Sequence, residues 1–141
     1  MINAHLHRLN SNNSQTMKKY IPLVLRIIVA GILIQTLRFK FTGHPDSVYL
    51  FTQLGVEPYG RIATGIIELI TGVLLLIPKT AWAGALVALG VMTGAIISHL
   101  TVLGIDFKGD GGTLFYTGIA TWVVSAIIAY IYRKDIPFLK N

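Results

Sequence analysis

The chain has 141 residues, of which 53% are hydrophobic and only 13% are charged, and its formal net charge is +6. Soluble domains carry about 25% charged residues, so this composition indicates a membrane protein. The absence of cysteine excludes disulfides, thiolate metal sites and any thiol-based redox step by the chain itself. Nucleic-acid binding is not expected, because the basic residues lie at the ends of apolar runs rather than along one polar surface.

The N-terminal segment, residues 1–18, is polar and rich in Asn and Ser, with no apolar periodicity. We therefore expect a disordered cytoplasmic tail. Met17 precedes two lysines and a long apolar run, which makes it an alternative translation start. Residues 19–134 are expected to form the membrane domain, and residues 135–141 a short C-terminal tail.

Four apolar segments follow, at residues 20–39, 59–77, 80–103 and 113–132. Crossing the hydrocarbon core of a bilayer takes about 20 helical residues, and each segment is long enough. Only a helix satisfies the backbone of such a segment in lipid. The sequence therefore predicts an all-α fold, an integral membrane four-helix bundle.

The connection between the first two spans is the longest one and contains an amphipathic stretch at residues 47–54. Asp46 or Ser47 is a suitable N-cap, so we expect a short helix that lies on the membrane surface or dips into it. Two interpretations stay open for it, a lid over the bundle or a loop held down by its aromatic side chains.

Lysine and arginine are distributed unequally between the two sides of the membrane. Because the number of spans is even, both termini lie on one side, and the more basic side is expected to be cytoplasmic. That side carries Arg8, Lys18, Lys19, Lys79, Arg133, Lys134 and Lys140, and the other carries Arg38, Lys40, Arg61 and Lys108.

Three ionisable residues interrupt the apolar spans: Arg26, Glu68 and His99. Each costs about 2.5 to 3.5 kcal/mol on insertion scales, so such groups usually face the bundle interior or a wet cavity. Arg26 and Glu68 are expected at similar depths, where they form an ion pair. The pair either fixes the helix register or belongs to a proton-linked binding site. Arg61, near the end of its span, is expected to extend to the headgroups.

His99 shares a helix face with Met92 and Ala95, whose narrow lining leaves space for a flat ligand. Its imidazole either hydrogen-bonds a ligand carbonyl or has a structural role. Haem is not expected, because no second histidine lies in the spans, and no metal site is expected.

Small residues recur every four positions on the same span, at Gly90, Gly94 and Ser98. Such a stripe allows another helix to approach closely. We expect it to pack within the bundle or between subunits of a homo-oligomer.

Several motifs together resemble the DoxX family over residues 19–134. They are Arg26 in the first span, FKFTG at 39–43, GIIEL at 65–69 followed by Gly72, and GAIISHLTVLGI at 94–105. The resemblance implies a small four-helix protein of the bacterial inner (cytoplasmic) membrane. The family is named for a subunit associated with a thiosulfate:quinone oxidoreductase or a quinol oxidase.

The polar positions that recur in the family map onto four residues, which form the predicted intramembrane polar site: Arg26, Lys40, Glu68 and His99. We expect an auxiliary subunit of a quinone-linked respiratory or oxidative-stress complex, rather than an independent enzyme. It would bind a quinone-like or lipid-like molecule within the bundle and support a membrane or peripheral redox partner. The alternatives are a small oligomeric proton-coupled transporter that uses Glu68, and a membrane scaffold without a ligand.

Overall fold

The structure, a computed structural model, describes residues 1–140. Helix makes up 86% of it, and these residues contain no strand. There are five α-helices: α1 (Ile2–Phe41), α2 (Pro45–Gln53), α3 (Tyr59–Leu76), α4 (Ala81–Ser98) and α5 (Thr113–Ile131). The all-α prediction is confirmed.

Four of these helices are long and apolar enough to cross a membrane: α1, α3, α4 with its flanking turns, and α5. Apart from the start of α1, the bounds of the predicted spans lie within a few residues of the observed helices and the turns that continue them. α4 continues into one π-helical turn, His99–Leu103, which stops at Gly104 with a φ of 78°. The short α2 occupies the stretch predicted to be amphipathic, but His44 rather than Asp46 or Ser47 is its N-cap.

The N-terminal segment differs from the prediction of a disordered tail. α1 runs without interruption from Ile2, and its side chains are exposed as far as residue 21. Residues 2–19 contain no proline and no glycine, the residues that most disfavour a helix, and α1 also continues through Pro22.

The four long helices alternate in direction and form a closed ring. α1 packs on α3 and α5, and α4 packs on α3 and α5. We call the end of the bundle that carries α2 and the loop at residues 104–112 the loop end. The opposite end, where α1 enters, α3 turns into α4 and α5 finishes, is the terminal end.

The terminal half of the bundle is closely packed. Its buried core consists of Val29, Ala30, Leu33, Leu75, Ala85, Ala88, Met92 and Ile128. Gly84 allows α3 and α4 to approach, since a Cβ built there would lie 2.8 Å from the backbone nitrogen of Leu75. The core of this half is thus built from apolar side chains of all four long helices.

The loop half contains a partly open cavity, and glycines of α4 and α5 border it. A Cβ added at Gly90, Gly94 or Gly118 would meet no atom within 4 Å. α4 and α5 therefore face an open space at these positions. The expectation that the Gly90, Gly94 and Ser98 stripe packs against another helix of the bundle is wrong, because the stripe borders a cavity.

Candidate functional site

A cavity of about 860 Å³ occupies the loop half of the bundle. Its wall is formed mainly by apolar side chains and the glycines of α4 and α5, and α2 covers it from the loop end. Ionisable side chains reach it from several elements, namely Lys40, Asp46, Glu68, His99, Lys108 and Asp110. Three of the four residues of the predicted polar site, Lys40, Glu68 and His99, thus line one cavity.

Lys40 and Glu68 form a buried ion pair on the wall made by α1 and α3. Lys40 Nζ lies 2.9 Å from Glu68 Oε2, and the two side chains are 13% and 5% exposed. The Thr36 hydroxyl lies 2.8 Å from the same carboxylate oxygen and accepts a hydrogen bond from Lys40 Nζ at 3.2 Å. Thr36 was not singled out in the sequence, although its spacing of four residues from Lys40 places both on one face of α1.

Glu68 pairs with Lys40, so the predicted ion pair between Arg26 and Glu68 is wrong. Side chains on a helix lean toward its N-terminus. In the antiparallel pair α1 and α3, Glu68 therefore leans toward the loop end, whereas Lys40 leans down into the bundle to meet it. Arg26 leans the opposite way from Glu68, toward the terminal end, and the two side chains diverge.

A second ion pair, between Glu57 and Arg61 at the start of α3, lies closer to the loop end than the first, and its arginine also contacts α1. Arg61 Nε donates to the two carboxylate oxygens of Glu57 at 2.8 and 3.0 Å, and Arg61 Nη1 donates to the backbone carbonyl of Lys40. Arg61 is only 9% exposed, so it does not extend to the headgroups as predicted. Its guanidinium instead binds the C-terminal end of α1, where unpaired carbonyls favour a cation.

His99 lies on the far side of the cavity, at the junction of α4 and its π-helical turn. Its Nδ1 is 2.8 Å from the carbonyl oxygen of Gly104, so Nδ1 carries the proton and donates. The ring meets Phe115 and Phe107 edge to face, at centroid distances of 5.8 and 6.3 Å. These contacts hold the ring, and Nε2 has no hydrogen-bond partner among residues 1–140.

The loop between the π-helical turn and α5 is organised by Asp110. Its carboxylate accepts from the backbone N–H groups of Phe107, Gly112 and Leu114 at 2.8 to 3.0 Å. These hydrogen bonds, that of Leu114 above all, lower the pKa of Asp110 below 3.8. Asp110 thus accepts from a free N–H group at the start of α5, and Lys108 of the same loop is ion-paired to Asp46 of α2.

Arg26 lies apart from the cavity. It is 4% exposed, at the terminal end, and its Cζ is 5.7 Å from the centre of the Tyr132 ring. Its Nε and Nη1 atoms are buried and have no hydrogen-bond partner in the described part of the chain. The four predicted site residues therefore divide between two places.

Chemically, the cavity combines an apolar wall with hydrogen-bonding groups on two sides. Lys40 is a donor and Glu68 an acceptor on the α1 and α3 wall, and His99 Nε2 is an acceptor opposite them when the ring is neutral. Within residues 1–140, no group of three or more His, Cys, Asp or Glu is arranged to hold a metal ion. The arrangement suits an apolar molecule that carries a few polar atoms.

The family model of DoxX matches residues 21–102, which include residues 21–41 of α1 and the whole of α2, α3 and α4. No curated protein and no solved structure matches the chain. The match covers more than half of the chain, together with Arg26, Lys40, Glu68 and His99, and agrees with the resemblance read from the motifs. This multi-pass membrane protein belongs to the DoxX family.

Proposed function

We propose that the cavity binds a flat, quinone-like molecule and that the protein serves as an auxiliary subunit of a membrane redox complex in the bacterial inner membrane. The observation that carries this proposal is the apolar cavity of about 860 Å³ with Lys40 and Glu68 on one side and His99 on another. A cavity of this volume is within the range of about 300 to 1,000 Å³ common for small-molecule sites.

The polar groups are suited to a molecule that exchanges carbonyl for hydroxyl groups. Lys40 donates to a carbonyl oxygen, and Glu68 and His99 Nε2 accept from a hydroxyl. The chain has no cysteine, so the bound molecule would carry the electrons and a partner protein would exchange them. Glu68 and His99 are the groups available to take up or release the accompanying protons.

The test is binding of short-tailed ubiquinone and menaquinone analogues to the purified protein in detergent, with two matched glycine variants. Gly94→Leu places a side chain in the cavity, whereas Gly31→Leu adds the same side chain on α1 away from it, and neither Cβ meets an atom within 4 Å. We expect Gly94→Leu to weaken binding at least about tenfold, a change of 1.4 kcal/mol, and Gly31→Leu to bind as the wild type does.

The double variant Lys40→Met with Glu68→Gln and the single variant His99→Ala complete the experiment, since each removes polar groups from one side of the cavity and the double variant leaves no buried charge unpaired. We expect both to bind more weakly than the wild type. Equal binding by the wild type and Gly94→Leu, or no binding by the wild type, would contradict the proposal.

Proton-coupled transport is the second candidate, and the buried carboxylate of Glu68 on the cavity wall favours it. Its test is proton flux into proteoliposomes that contain a pH-sensitive dye. Transport predicts a flux that Glu68→Gln abolishes and Gly31→Leu retains. Flux equal to that of protein-free vesicles removes this candidate.

A further inference from the structure

The guanidinium of Arg26 is a buried charge that does not line the cavity. It is 4% exposed, and its Nε and Nη1 have no acceptor among residues 1–140. An arginine remains protonated in proteins, so burial cannot be relieved by loss of the proton. A buried charge is tolerated when it is paired and hydrogen-bonded, and Arg26 therefore requires an acceptor from outside the described chain.

The surroundings of Arg26 supply little compensation. The ring of Tyr132 lies 5.7 Å from Cζ, and a cation–π contact leaves the N–H groups of the guanidinium plane without acceptors. Asp135 is the one acidic residue of the chain at the terminal end, and it is exposed and forms no ion pair with Arg26. The acceptor is therefore not a carboxylate within residues 1–140.

The charge distribution indicates which sign of ligand this end attracts. Eight of the twelve Lys and Arg residues belong to the terminal end, but only one of the six Asp and Glu residues. The basic residues are Arg8, Lys18, Lys19, Arg26, Lys79, Arg133, Lys134 and Lys140. The loop end, in contrast, has four basic and five acidic residues, so the terminal end alone carries an excess of positive charge.

The depth of Arg26 indicates where the ligand lies. Tyr132 is the C-cap that directly follows α5, the last membrane-spanning helix, and tyrosine is typical of membrane interfaces, so we place the boundary of the membrane at the terminal end close to this residue. The guanidinium beside this ring lies just inside that boundary. A phosphate at the headgroup level is within the range of a buried arginine at this depth.

We propose that Arg26 binds a phosphate-type oxyanion at the terminal end, supplied by the headgroup of an anionic phospholipid or by free phosphate. Arginine recognises phosphate through several hydrogen bonds of fixed geometry, and Tyr132 holds the guanidinium in place. The site is separate from the cavity and does not depend on what the cavity binds.

The experiment measures thermal unfolding of the purified protein in micelles of a neutral detergent, with three additions: phosphatidylglycerol, phosphatidylcholine or inorganic phosphate. The variants are Arg26→Gln, Arg26→Lys and, as a matched control at the same end, Arg133→Gln. Arg133 is exposed and donates to the Tyr130 carbonyl. High salt is present throughout to screen the surface charges.

We expect phosphatidylglycerol to stabilise the wild type and Arg133→Gln, with phosphatidylcholine without effect. Arg26→Gln should require at least about tenfold more phosphatidylglycerol for the same shift, and Arg26→Lys should lie between, since it keeps the charge but loses the planar fork. Stabilisation by phosphatidylglycerol alone identifies a lipid, and equal stabilisation by inorganic phosphate identifies the free anion.

Two results would overturn the proposal. One is a wild type that responds to neither anion, or equally to phosphatidylcholine and phosphatidylglycerol, a result that needs no variant to fold. The other is an Arg26→Lys protein with the same anion affinity as the wild type. Asp135→Asn is the last control. If this variant lowers the unfolding temperature of the ligand-free protein and Arg133→Gln does not, then Asp135, rather than an oxyanion, is the acceptor for Arg26.

Discussion

The Lys40 and Glu68 side chains neutralise each other at a point where neither charge is well hydrated. Both are buried, and Thr36 adds a hydroxyl to the same carboxylate oxygen. For a buried pair of this kind, loss of one partner costs much more than loss of both, since it leaves an uncompensated charge. The pair is therefore tested best as a pair.

We expect Lys40→Met to lower the free energy of unfolding by about 3 to 5 kcal/mol, because it leaves Glu68 buried without its cation. The double variant Lys40→Met with Glu68→Gln should recover much of that loss, since no charge then remains. Denaturant unfolding of the detergent-solubilised protein measures both. Losses that simply add in the double variant would contradict the coupling.

Asp110 leads to a prediction of how the stability of the protein depends on pH. Its pKa in the folded protein is below the ordinary value of 3.8, so the unfolded chain binds more protons between the two values. The stabilisation by Asp110 is therefore fully present above pH 3.8 and is lost as the pH falls through the lower, folded pKa.

Asp110→Asn should lower the midpoint of thermal unfolding at about pH 6 and remove part of the further loss on acidification. The measurement is the difference between wild type and variant at about pH 6 and at the lowest pH where both refold. A difference that grows as the pH falls would have the wrong sign. Asp135→Asn serves as the exposed control.

At the scale of the element, the glycines of α4 have different surroundings in the two halves of the helix. Near its start, Gly84 lies against α3, with the backbone nitrogen of Leu75 2.8 Å from where a Cβ would be. About two to three turns further on, Gly90 and Gly94 border the cavity, with no atom within 4 Å of an added Cβ. One helix thus uses glycine for close packing in one half and for open space in the other.

We expect Gly84→Ala to destabilise the protein by about 1 to 3 kcal/mol, since backbone must move to admit the methyl group. Gly90→Ala, the matched change on the same helix, should be neutral or stabilising by up to about 1 kcal/mol, because alanine favours helix and meets no atom. Thermal unfolding in detergent compares the two. Equal effects would contradict the division of α4 into a packed and an open half.

For the whole molecule, four spans place both termini on one side of the membrane, and the excess of Lys and Arg at that end predicts that this side is cytoplasmic. The natural chain has no cysteine, so single cysteines report topology without background. Lys79→Cys and Lys134→Cys test the terminal end, and Asp106→Cys tests the loop end.

In spheroplasts of a bacterial expression host, a membrane-impermeant maleimide should label Asp106→Cys and leave the other two unlabelled until the membrane is opened. The physical reason is the positive-inside bias of Lys and Arg. Labelling of Lys79→Cys and Lys134→Cys from opposite sides would contradict four spans. Labelling of both, but not of Asp106→Cys, would keep the spans and reverse the orientation.

The predicted polar site shows which features of a site can be predicted from the sequence and which cannot. Lys40 was selected from the resemblance to the DoxX family, whereas Glu68 and His99 were selected because ionisable groups in apolar segments are costly, and the structure places all three on one cavity. Arg26 was selected on the same basis but lies at the other end of the bundle. The rise per residue gives depth along each helix, whereas the lean of the side chains and the relative register of α1 and α3 decide which charges meet.

The sequence by itself determined the four spans, their helical state and the common side of the termini. These follow from local hydropathy and from the requirement that each span satisfy its own backbone hydrogen bonds in lipid. Only the tertiary structure decided that Lys40 is the partner of Glu68, that the glycines of α4 line a cavity, and that Arg26 stands alone. Those contacts join residues from different helices, and their geometry depends on how the helices pack, which no local pattern specifies.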